Sequence, residues 1–100
     1  MMNESVKEFQ TSPWDSSELL HSPEAISAYL EAAFEDGDPA LITHALGVIA
    51  RAKGMGQIAK EAGVTREALY KALSMDGDPK ISTFLGVIKA LGLHLEIRPA

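Results

Sequence analysis

Apolar residues fall at Ile26, Tyr29, Leu30, Ala33 and Phe34, the i, i+3, i+4, i+7, i+8 spacing of one face of an α-helix. Ser22 ahead of them is a good N-cap and Pro23 suits the first helical position, so the pattern predicts a helix that ends near Gly37. Asp38 and Pro39 repeat the signal, and Ile42, Ala45, Leu46, Ile49 and Lys53 trace a second stripe whose apolar members stop at Ile49. A second helix is expected over 39–53, closed by Gly54. Gly47 inside it costs up to about 1 kcal/mol relative to alanine, which is tolerable where a neighbouring helix passes closely. Tyr29 and Phe34 are expected to pack between these two helices.

On either side the pattern changes. Residues 1–21 have no sustained period, yet Phe9, Trp14, Leu19 and Leu20 are too apolar for a solvated tail, and Asp15 with Glu18 has the form of a capping box for one short turn through Leu20. Beyond Gly54 come short helical pieces, about 56–62 and 66–74, flanking Gly63 and Val64. The polar run from Met75 to Pro79 reads as a turn. A further helix over roughly 82–91 is expected to bury Phe84, Leu85, Ile88 and Leu91 and to stop at Gly92. From Leu93 to Arg98 apolar and polar residues alternate, which places Leu93, Leu95 and Ile97 on one face of a short strand. The fold expected is all-α, about five helices with a C-terminal β-strand. A lone strand must pair, and the expected partner is its own copy in a homodimer, with Leu93, Leu95 and Ile97 covering the core; the sheet of another protein is the competing partner.

Composition supports one core: 100 residues, 46% hydrophobic and 23% charged, with a mean hydropathy of +0.01. Cysteine is absent, which removes disulfides, thiolate nucleophiles and cysteine-bearing metal sites together. No apolar run approaches the roughly 18 residues of a membrane span, and MMNESVKEFQ lacks the order of a signal peptide, so a cytoplasmic protein is expected.

The net charge of −5 hides an asymmetry. Through Asp38 there is one base, Lys7, against nine acids, a net −8; from Pro39 onward eight bases oppose five acids, a net +3. Two partners of opposite charge fit this division, a cationic one for the first third and an anionic one for the rest.

The window from Gln57 to Leu73 carries the candidate chemistry. Two short helices crossing steeply need a small residue at their contact, a glycine to turn between them and apolar residues to hold the second helix. Ala59, Gly63 and Leu69 stand at these places, with Val64 plugging the turn and Leu73 extending the stripe. Thr65 is placed to cap the second helix, whose exposed face would present Arg66, Glu67, Tyr70 and Lys71. Arginine bonds bidentately to guanine, glutamate accepts from cytosine, and tyrosine and lysine reach phosphates or base edges. Gln57 and Lys60 on the first helix are further candidates for DNA contact. Enzyme readings have little support: His21, His44 and His94 have no i+4 histidine partner, and Gly54 and Gly56 precede a helix without the strand or third glycine of a dinucleotide loop. No metal, cofactor or catalytic residue is expected.

The runs Ile49-Ala50-Arg51-Ala52-Lys53-Gly54-Met55, Gln57-Ile58-Ala59, Thr65 to Leu73 and Ala90-Leu91-Gly92-Leu93, together with Trp14-Asp15, Tyr29-Leu30 and Gly37-Asp38-Pro39-Ala40, resemble the addiction-module antidote proteins, HigA-type antitoxins with a lambda-repressor-like helix–turn–helix. Gly56 departs from that pattern, standing where a serine or threonine cap is usual. The resemblance implies an antitoxin of a type II toxin–antitoxin module that binds a RelE/HigB-like ribonuclease toxin and represses its own operon. In this scheme residues 1–38 form an acidic arm and helix that bind toxin, with Phe9, Trp14, Asp15, Leu19 and Leu20 as contacts, and residues 39–100 bind operator DNA as a dimer. Two other readings remain at this point, a stand-alone prophage-type repressor and an adaptor that binds only protein.

Overall fold

The computed structural model describes residues 22–100. The turn expected after Asp15 lies outside the described residues, among which five helices follow in order: α1 (Pro23–Asp36), α2 (Pro39–Lys53), α3 (Met55–Ala62), α4 (Arg66–Ala72) and α5 (Ile81–Ala90). Local chemistry places their ends. Ser22 Oγ accepts from the Ala25 N–H at 3.2 Å to start α1, and Asp38 Oδ1 accepts from the Ala40 N–H at 3.0 Å to start α2, each followed by proline at the first position. Arg51 and Lys53 lie in the last turn of α2, where cations suit the carbonyl end of the helix.

α2 packs on α1, and α3 touches α2, α4 and α5, so it is the piece around which the others assemble. Ile26, Leu30 and Ala33 of α1 share one core with Leu46 and Ile49 of α2, Ile58 of α3, Leu69 of α4 and Val87 of α5. Gly47 marks a close approach: a Cβ there would lie 3.0 Å from the Leu73 carbonyl oxygen at the end of α4. Gly86 does the same for α5, where a Cβ would meet Ala62 at 3.1 Å.

Three expectations need correction. The buried stripe of α5 is Phe84, Val87, Ile88 and Leu91, an i, i+3, i+4, i+7 series, and Leu85 falls off it at 48% exposed. Phe34 does not lie between α1 and α2; its ring stacks on Phe84 of α5 with centroids 6.2 Å apart, while Tyr29 packs on the edge of the core. The C-terminal strand is absent: the described residues contain no strand. Leu93 turns its N–H back to the Ile88 carbonyl at 3.1 Å after the left-handed Gly92, closing α5, and the backbone beyond has no ladder partner among the described residues. Nor do its apolar side chains cover the core together: Leu93 is half-buried, Leu95 is 43% exposed and Ile97 is 98% exposed. The alternation is nonetheless felt locally, because Glu96 accepts from Arg98 Nε at 3.2 Å and Nη2 at 2.7 Å and has His94 Nε2 at 3.6 Å. The Arg98 bonds, and then His94, hold the Glu96 carboxyl below the ordinary carboxylate range.

Candidate nucleic-acid interface

The site begins with the end of α3. Gly63 adopts φ 79°, and the Val64 N–H reaches back to the Ala59 carbonyl at 3.0 Å, a six-to-one bond that ends the helix and reverses the chain. Val64 then tucks partly into the core beside Ala59, which is buried. One residue later Thr65 Oγ1 accepts from the Ala68 N–H at 3.0 Å, satisfying an orphan donor at the start of α4. The three-residue connection therefore has a structural task at each position.

Leu69 is fully buried and Leu73 nearly so, which anchors one side of α4. The opposite side is open. Arg66, Glu67 and Lys71 are exposed, and Tyr70 is 40% exposed, so all four residues expected on this face are there. The Arg66 guanidinium carbon lies 5.5 Å from the Tyr70 ring centroid, a cation–π contact that restricts the arginine without consuming its hydrogen-bond donors. Glu67 and Lys71 make no ion pair among the described residues. Gln57 and Lys60 are exposed on α3; the Gln57 amide donates to Glu61 Oε2 at 2.6 Å, and its own carbonyl oxygen has no hydrogen-bond partner among the described residues. An exposed helix face with donors, an acceptor and an aromatic, backed by buried leucines, is equipped to meet base edges and phosphates.

The other candidates fare differently. Phe9, Trp14, Asp15, Leu19 and Leu20 lie outside the described residues. His44 is exposed on α2, and the described residues hold no group of three or more side chains able to bind a metal. None of the described helices is long and apolar enough to cross a membrane. One feature has no counterpart in the sequence reading: an open groove of about 1140 Å³ between α1 and the segment after Gly92, with Leu30, Phe34 and Leu95 among its apolar residues and Glu31 and Glu35 on its α1 wall. Glu31 and Glu35 one turn apart on either side of Phe34 are the signal that marks it.

A family described as "Probable addiction module antidote protein" matches residues 10–99. The chain belongs to this family. An uncharacterized protein of Haemophilus influenzae strain Rd is similar to this antidote-family chain, 44% identical over 97 residues, which cover 97% of this chain and 95% of that protein. No solved structure matches the chain. Membership in an antidote family implies a toxin as partner.

Proposed function

We propose that this antidote-family chain is the antitoxin of a type II toxin–antitoxin module, a non-catalytic cytoplasmic protein that neutralises a RelE/HigB-like ribonuclease toxin by direct binding and represses its own operon. In this reading α3 and α4 form a lambda-repressor-like helix–turn–helix. The observation that carries the DNA-binding half is the outward face of α4, where Arg66, Glu67, Tyr70 and Lys71 stand together while Leu69 and Leu73 hold the helix from behind. Thr65 fixes the first turn of α4, so Arg66 and Glu67 enter the major groove, Arg66 forking onto a guanine and Glu67 accepting from a cytosine amine. Tyr70 and Lys71 further along α4, and Gln57 and Lys60 on α3, take the flanking phosphates.

Two such units bind a palindrome as a homodimer, with recognition helices about one DNA turn apart, roughly 34 Å. Toxin contacts fall to the acidic first third, including Phe9, Trp14, Asp15, Leu19 and Leu20.

The test is fluorescence anisotropy of the full chain on duplex DNA from upstream of its own reading frame and on a shuffled duplex of the same composition. Specific binding at least about 1,000-fold tighter than the shuffled control is expected. Equal affinity for both duplexes overturns the repressor half.

A further inference from the structure

We propose that the groove between α1 and the segment after Gly92 is a docking surface for a cationic, amphipathic segment of a protein partner, namely the toxin of this antidote; the inference rests on the antitoxin reading above. Between its charged and polar residues the groove holds apolar side chains that the chain alone leaves in water. Leu30 is at the base, Phe34 is 37% exposed beside it, and Leu93 and Leu95 close the far side. A partner laid there would cover side chains that the five helices do not cover themselves.

The charge pattern says which partner. Along α1 there are four acids, Glu24, Glu31, Glu35 and Asp36, and no base. Glu35 and Asp36 sit in its last turn, where the exposed carbonyls already make the helix end negative, so this arrangement works against the helix alone. Among the described residues neither Glu31 nor Glu35 has an ion pair, whereas the carboxylate across the groove, Glu96, is already held by Arg98 and His94. The unspent negative charge is therefore on the α1 wall, directly beside the apolar floor. Nucleic acid is repelled from such a wall. The chain's own residues 1–21 carry Glu4, Glu8, Asp15 and Glu18 against Lys7, the wrong net charge for this wall. A second copy placed across a two-fold axis would bring its own Glu31 and Glu35 to the same wall. A cationic segment of a different protein relieves the repulsion and buries Phe34 and Leu95 at the same time.

The experiment uses the full chain, titrated calorimetrically with the protein encoded by the adjoining reading frame at several salt concentrations. Two charge-reversal variants are compared, Glu31→Lys with Glu35→Lys in the groove, and Asp76→Lys with Asp78→Lys in the exposed turn before α5, which alters net charge equally. The expected result is a loss of thirtyfold or more with a flattened salt dependence for the groove variant (about 2 kcal/mol), and less than about threefold for the turn variant. Equal losses in both, or none in either, overturn the docking surface and leave the antitoxin reading standing. Absence of binding by the unaltered chain removes that reading, and the inference goes with it. Light scattering and the emission of Trp14, the one tryptophan, are followed on the chain alone. A change of mass or of emission in the groove variant means that a second copy or residues 1–21 already occupy the groove, which also overturns the proposal.

Discussion

Arg66 and Lys60 are both exposed cations near the same proposed interface, and the proposed function gives them different work. Arg66 sits in the first turn of α4, exposed and held over the Tyr70 ring, so its side-chain freedom is already reduced before any partner arrives. Replacing it by alanine should cost about 1–3 kcal/mol on the cognate duplex and relax the preference for one base pair. Lys60 is a point charge on the preceding helix, suited to a phosphate, so Lys60→Ala should weaken cognate and shuffled duplexes alike. Anisotropy titrations of both variants on a panel of single-base-changed duplexes separate these outcomes. Unchanged binding by both would move the interface away from α4. Residues such as Arg66, Glu67, Tyr70 and Lys71 were legible in the sequence because the buried partners on the same short helix, Leu69 and Leu73, leave only one way for it to face. Phe34 was not, because a helix face wide enough to include Ile26 and Phe34 spans contacts with two different neighbours, and spacing alone does not say which one an edge residue meets.

Helix ends are more legible in this sequence than helix stripes. Ser22, Asp38 and Thr65 announce helix starts through hydrogen bonds that close within three residues, and the described structure has each of those bonds. In α5, by contrast, Phe84, Leu85, Val87, Ile88 and Leu91 offer two overlapping helical faces, and only the packing of α3 against Gly86 selects the one with Val87 over the one with Leu85. The C-terminal alternation is a period without a ladder: a strand is a property of two segments, and one sequence names only the first. The groove was hidden for the same reason, since it is made by α1 and a segment about sixty residues later in the chain. Packing also gives Gly47 a consequence. In an isolated helix Gly47→Ala would help by up to about 1 kcal/mol. Here the added methyl would press on the Leu73 carbonyl at 3.0 Å, at the very end of the proposed recognition helix. The expected outcome is a net destabilisation of about 1 kcal/mol by urea denaturation, with weaker cognate DNA binding as α4 shifts outward. A variant more stable than the parent would mean that the α2–α4 contact is looser than described.

The whole molecule joins an acidic end to a basic one, and DNA affinity should reflect the balance. With −8 through Asp38 and +3 thereafter, few phosphates can be neutralised per copy. A dimer should show a log-log salt slope of roughly −4 to −7, for about five to seven phosphates. Filter binding from low to moderate salt measures it, and a slope near zero with binding intact would remove the electrostatic component. The opposed charges are nevertheless not carried by separable bodies. Ile26, Leu30 and Ala33 from the acidic helix lie in the same core as Leu46, Leu69 and Val87, so stripping α1 away bares the face of α2 that it covers. Limited proteolysis followed by mass spectrometry should accordingly yield no persistent fragment beginning near Pro39, and a durable one that still gripped DNA would contradict the shared core. A single cut in α1 would then abolish the proposed toxin capture and the proposed promoter silencing in the same event, giving both one common lifetime.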